Sequence, residues 1–251
     1  MSRHMFKKSF LCFLLFWFQA AMAGAESPDI KAILEKADRW RLPPVPVEAH
    51  VEVITDMGTP AEKKRSYLVL AEVDMRALVV SLDPQEKGNK ALMVGDDYWI
   101  IMPKSQRPVR ITPAQKLLGE AATGDIARLR WSGDYEGKKI REETVQGTRC
   151  DVLELNAIRP GAAYRRMILW LAQENQRPVQ AEYYMGSNKL AKVAEFHPGV
   201  LQGQNAIVES VLLDRLKTQS RTFVKVLDMR ERKIPGEYFN PAFLVRTVDI
   251  H

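Results

Sequence analysis

From Val47 onward the chain is a succession of short strand-like runs separated by turn-forming residues, and this rhythm limits the folds open to it. Val47, Ala49, Val51 and Val53 alternate with Glu48, His50, Glu52 and Ile54, the period of a half-buried strand. Similar runs cover 65–73, 75–82, 90–94, 98–102, 139–145, 150–157, 164–172, 179–185, 190–196, 206–216 and 222–229. Between them stand hairpin signals such as Gly95-Asp96-Asp97, Gln146-Gly147, Gly186-Ser187-Asn188 and Gln202-Gly203. Strands do not alternate with helices, which argues against a doubly wound parallel sheet. About a dozen antiparallel strands in one meander is the simplest account, and the fold class is mainly β with a few helices.

Several runs are apolar on both faces. Met167, Leu169 and Leu171 point one way while Ile168 and Trp170 point the other; Ile207, Val211 and Leu213 oppose Val208, Leu212 and Leu216. An antiparallel sheet usually wets one face. A curved sheet covered by helices, or closed around an interior, buries both; so does an ordinary packed core or a dimer face, and periodicity does not separate these.

Helical patterning is confined to a few places. Ser27-Pro28-Asp29 supplies an N-cap, a first-turn proline and an early acid, and Ile30, Ile33, Leu34, Ala37 and Trp40 recur at helical spacing before Pro43-Pro44-Val45-Pro46. Two short helical turns are expected at 113–118 and 125–131, laid against the sheet. A further short helix or packed loop is expected after Pro235.

The N-terminus reads as an export signal. A basic start with Arg3, Lys7 and Lys8 precedes ten apolar residues, 9–18, and the small-x-small site Ala21-Met22-Ala23. The apolar run is too short for a membrane span. Residues 1–23 are therefore expected to be cleaved, and residues 24–251 to form a single domain in the periplasm. Cleavage lowers the formal charge of +6 by three. It also removes Cys12 and leaves Cys150 alone, which excludes an intramolecular disulfide.

No catalytic or metal-binding motif is present. His50, His197 and His251 are isolated, and HExxH, paired CxxC, GxSxG, the phosphate loop and GxGxxG are all absent. No cofactor is expected. The basic clusters at 63–65, 138–141, 165–166 and 230–233 have acids nearby and are read as solvated strand ends rather than a nucleic-acid surface.

The segment Lys90-Ala91-Leu92-Met93-Val94-Gly95-Asp96-Asp97-Tyr98-Trp99-Ile100-Ile101-Met102-Pro103, with the basic stretch 107–111, the Trp170 strand, the Arg177-Pro178 turn and the Tyr183-Tyr184 strand, resembles the LolA/LolB lipoprotein-carrier superfamily, and most closely its outer-membrane lipoprotein-sorting (LolA-like) members. The family's Gly-Ser-Asp-Phe segment has only Gly124-Asp125 as a counterpart. The resemblance implies a half-open β-barrel with a helical lid, holding acyl chains in an apolar cavity for transfer to the outer membrane. It implies lipoprotein or lipid cargo, an inner-membrane ABC-type exporter as partner, and no catalysis. On that basis the cavity candidates are Trp99, Ile101, Leu153, Leu155, Leu169, Trp170, Tyr183, Val193 and Leu213, with Trp40, Leu117 and Leu129 in the lid. Two alternatives stand beside it: a non-catalytic envelope interaction module with a filled core, and a periplasmic hydrolase with a non-local site.

Overall fold

A computed structural model of the chain describes residues 29–56, 63–103, 107–112, 123–127, 130–162, 164–216, 220–246 and 250. The expected export signal, together with Ser27 and Pro28, lies outside these residues. So do the helical turn expected at 113–118 and the lid candidates Leu117 and Leu129.

Among the described residues, thirteen antiparallel strands form one sheet. In chain order they are β1 (Val47–Asp56), β2 (Lys63–Ala71), β3 (Arg76–Ser81), β4 (Lys90–Val94), β5 (Asp97–Ile101), β6 (Val109–Ile111), β7 (Tyr135–Val145), β8 (Thr148–Ala157), β9 (Arg166–Ala172), β10 (Pro178–Tyr184), β11 (Leu190–Leu201), β12 (Gln204–Asp214) and β13 (Arg221–Glu231). The helices among the described residues are α1 (Ile30–Arg39), α2 (Thr123–Ala127), α3 (Trp131–Asp134) and α4 (Pro241–Arg246), with a 3₁₀ turn at Gly236–Phe239. The spatial order β6-β5-β4-β3-β2-β1-β13-β12-β11-β10-β9-β8-β7 makes two meanders joined by the β1–β13 ladder. The sheet is open, with β6 and β7 at its edges.

Local chemistry explains the meander. Gln146-Gly147 and Gln202-Gly203 both have positive φ at each position, 48° and 77° and then 49° and 78°. These are the left-handed pairs that close two-residue hairpins with the right strand twist. Register shifts at His50/Val51, Lys139/Arg141, Pro178/Gln180, Tyr183/Tyr184 and His197/Pro198 bend the ladders; each bulge adds local twist and helps the sheet curl. The long edge strand β7 carries Lys138, Lys139, Arg141, Glu142 and Glu143 along an exposed run, which blunts edge-to-edge pairing.

Burial on both faces has a specific cause at each place. The inner face packs against α1, α2 and α3 in one contiguous core. On the outer face of β2–β5, Leu68, Leu70, Leu78, Leu92 and Ile101 are covered by Ile234, Phe239 and Leu244 of the C-terminal segment. Buried Lys90 reaches the carbonyls of Gly88 at 3.4 Å and Leu244 at 3.5 Å, tying the end of α4 to the sheet. A smaller outer cluster on β8–β10 contains Cys150, Val152, Ile168, Trp170 and Val179. Cys150 is fully buried, and burial pushes its thiol above the ordinary range.

Glu48, also on the outer face, accepts from Arg230 Nε at 3.0 Å and Nη2 at 2.6 Å and is paired with Arg232. Burial alone would raise its carboxyl; hydrogen bonds from Arg232 and Arg230 outweigh this and hold it below the ordinary 4.5. A carboxylate depressed in the folded state stabilises the fold above its unfolded pKa, and that contribution is lost as pH falls through the folded value. Glu48→Gln is therefore expected to be less stable than wild type at neutral pH and to lose less on acidification. Urea unfolding across a pH series below neutrality reads both effects.

Candidate functional site

The inner face of the sheet and its helical cover form the feature most capable of binding. Asp29 caps α1, its Oδ1 accepting from Ala32 N at 3.2 Å; the N-cap thus sits two residues beyond the expected Ser27. Apolar residues at helical spacing turn one side of α1 inward, and Leu34 and Ala37 are fully buried there.

A charged residue lies on that same side. Asp38, buried at 1% exposure, accepts from Trp131 N at 2.8 Å, Ser132 N at 2.9 Å and Ser132 Oγ at 2.8 Å. Arg41 Nη1 lies 3.7 Å from Asp38 Oδ1, and its guanidinium sits 3.8 Å above the Trp131 ring. Arg130 donates to the carbonyls of Leu42 at 3.4 Å and Pro43 at 2.6 Å; burial pushes its guanidinium down. These contacts join α1 and α3 into one cover by hydrogen bonds and charge.

Beside the apolar core they share, a few specific contacts tie the cover to the sheet. Trp40 Nε1 donates to Asn175 O at 3.2 Å, and Ile207 N donates to Trp40 O at 2.6 Å. Trp131 packs edge-on against Phe196 at 5.7 Å. From α2, Asp125 Oδ2 accepts from Lys192 Nζ of β11 at 2.9 Å and from the Tyr164 hydroxyl at 3.4 Å. Tyr164 stacks on Tyr183 at 4.5 Å, and burial drives both phenols well above their ordinary range.

A second contact bridges the two margins of the curved sheet. Asp96, in the β4–β5 turn, accepts from Arg159 Nη2 at 2.9 Å and Gly161 N at 3.1 Å, both in the β8–β9 loop. Arg159 also reaches Asp134 at 3.5 Å and contacts Met75 Sδ. A Cβ at Gly161 would lie 2.1 Å from Asp96 Oδ1, so this approach requires glycine.

The inner core is contiguous from sheet to α1, so the cover is closed where the resemblance implies an accessible apolar cavity. Clefts open at the two ends of α1. One, of about 240 Å³, is lined by Trp40, Val45, Leu201 and Met229, with Arg39 and Arg230 beside them. The other, of about 700 Å³, is lined by Ile30, Val73, Met75, Tyr135 and Ile158.

The candidates from the sequence divide by strand face. Leu153, Leu155, Leu169 and Tyr183 lie in the inner core, and Trp40 packs against it. Trp99 and Ile101 do not line this space: they belong to the outer cluster under the C-terminal segment. Trp170 is likewise outer, its Nε1 donating to Glu143 at 3.1 Å beneath the Arg141 guanidinium. Val193 and Leu213 face each other across the β11–β12 ladder, on the side opposite Ala194 and Leu212 of the inner core. The physical reason is strand alternation, which sends neighbours to opposite faces.

Sequence reasoning missed Asp38, Arg41, Asp125 and Lys192. Asp38 had a signal, since it falls four residues after Leu34 on the apolar side of α1. Lys192 also had one, since it stands two residues before Ala194 and four before Phe196 on the inner face; only Ala191, at the bulge, is out of step. Among the described residues no group of three or more His, Cys, Asp or Glu is placed to hold a metal, and no helix is long and apolar enough to cross a membrane.

A family model described as "Uncharacterized protein" matches residues 73–246. No curated protein matches the sequence. Among solved structures, a LolA superfamily protein from Nitrosomonas europaea is 32% identical, with a TM-score of 0.77 over 84% of this chain and 96% of its own. A domain from Vibrio parahaemolyticus described as an outer membrane lipoprotein-sorting protein shares the fold at 19% identity and a TM-score of 0.70, over 86% of this chain and 98% of its own. A DUF1329 family protein from Desulfovibrio piger does so at 20% and 0.70, over 85% and 97%.

Proposed function

The chain belongs to the LolA superfamily, and from that premise we propose that it is a non-catalytic periplasmic carrier which shelters the acyl chains of a lipoprotein or lipid between its curved sheet and helical cover. In this reading residues 1–23 direct export, and residues 24–251 work as one domain. Cargo arrives from an inner-membrane ABC-type exporter and leaves toward the outer membrane.

The observation that carries the reading is the construction of the cover. Its inner side is apolar, as acyl chains require, since each methylene withdrawn from water contributes about 0.8 kcal/mol. Its polar ties to the sheet are local, through Trp40 and Asp125, while Asp38 holds α1 and α3 together as one cover. Such contacts exchange for water when the cover lifts, whereas the inner apolar surface exchanges for cargo. The two clefts at the ends of α1 are where entry starts.

Mass spectrometry of organic extracts from protein purified out of the periplasm without detergent tests this. Stoichiometric acylated lipid or lipopeptide is expected. Its absence, combined with failure of the purified protein to take up a fluorescent acyl ligand, would remove the carrier reading and leave the filled interaction module.

A further inference from the structure

On the carrier reading, we propose that Lys192 selects the cargo: the ligand carries an anionic group beside its acyl chain, and that group replaces Asp125 on the Lys192 ammonium when the cover opens.

Lys192 is an anomaly on its surface. It stands opposite Tyr183 in the β10–β11 ladder, on the inner face, and is 5% exposed. The register shift there pairs Tyr184 with Leu190, so Ala191 bulges out of step and both Ala191 and Lys192 are buried on that side. An ammonium in such a place is strongly disfavoured without a counter-ion. Asp125 supplies one at 2.9 Å, and the two side chains are 7% and 11% exposed. Asp214 faces Lys192 across the β11–β12 ladder, but its Oδ1 is engaged at the turn by Leu216 N at 2.7 Å.

The two partners belong to different bodies. Lys192 is part of the floor and Asp125 part of the cover. Lifting α2 withdraws the carboxylate and leaves the ammonium among Tyr164, Tyr183 and the apolar core. A neutral acyl chain entering this space leaves that charge unpaired. A chain bearing phosphate or carboxylate next to its first methylenes restores the pair, and the Tyr164 hydroxyl, 3.4 Å from the Asp125 oxygen it would replace, is a second donor. Buried pairs of this kind contribute little net stability compared with apolar residues of similar size, yet they discriminate strongly between partners.

The test compares oleoyl lysophosphatidic acid with monooleoylglycerol, which share a chain and differ in the phosphate. Wild type is expected to bind the anionic ligand about tenfold or more tightly, the ratio a charge-assisted hydrogen bond supplies. Lys192→Met should bring the two affinities together, Lys192→Arg should keep the preference, and Asp125→Asn should enlarge it. The double variant Lys192→Met/Asp125→Leu keeps the interior neutral, so loss of preference is readable in a folded protein. Equal binding of both ligands by wild type overturns the proposal while the carrier reading stands. A Lys192→Met variant that weakens both ligands alike also overturns it, because a purely structural tie has that effect. Displacement of the lipid by inorganic phosphate alone would assign the site to the free ion and overturn the lipid headgroup. Binding of neither lipid removes the carrier reading itself.

Discussion

Asp38→Ala is expected to lower the unfolding free energy by about 3–5 kcal/mol, the cost of breaking a buried charged pair and stranding its partners. Two backbone N–H groups, one hydroxyl and the Arg41 guanidinium all converge on this carboxylate. For a domain of this size the melting temperature should fall by roughly 2–4 °C for each kcal/mol. The loss is expected in the cover first. Amides of α1 and α3 should exchange with solvent well before those of β1 and β13, and a hydrophobic dye should bind to the uncovered inner face before the sheet melts. Asp38→Asn keeps one acceptor and should fall between the two. An alanine variant that melts at the wild-type temperature would mean that the carboxylate does not hold the cover.

Leu169→Ala is expected to cost about 3 kcal/mol or more, since Leu169 is fully buried in the inner core and its truncation leaves a void. Val193→Ala removes two methyl groups from a half-buried outer position and should cost about 1 kcal/mol or less. Urea midpoints at constant slope measure both. The contrast bears on function as well as stability. If the inner face holds acyl chains, the Leu169 void should change the chain length that binds best, and the Val193 variant should leave it unaltered. Equal costs at the two positions would contradict the assignment of faces.

Much of the architecture could be read directly from residue types. Alternation from Val47 to Val53 and the Gln-Gly pairs at 146–147 and 202–203 define strands and hairpins through steric rules that act within a few residues. The assignment of faces could not be read so easily. Trp99 and Ile101 lie on β5, which is apolar on both faces, and nothing local says that their neighbours Tyr98 and Ile100 face the inner core while they face the C-terminal segment. That outcome depends on where residues 234–244 come to lie, far along the chain. A shift of one residue in register would exchange the two sets. Asp38 and Lys192 belong to a different class: each is a charge whose burial makes sense only beside a partner from a distant element, Trp131 in one case and Asp125 in the other.

The ladder between β1 and β13 joins the first strand of the sheet to the last. Each meander pairs strands that are neighbours in sequence, but the sheet is continuous across its middle only with the final strand in place. Closing that seam pairs Val47 with Glu231, a long-range contact of the kind that slows folding. Until then the side of β1 that awaits β13 is an unprotected ribbon, ten residues long, open to pairing with a second nascent copy. Late in biogenesis, then, the hazard is concentrated at the middle of the finished sheet, at a position that looks fully interior once folding is complete.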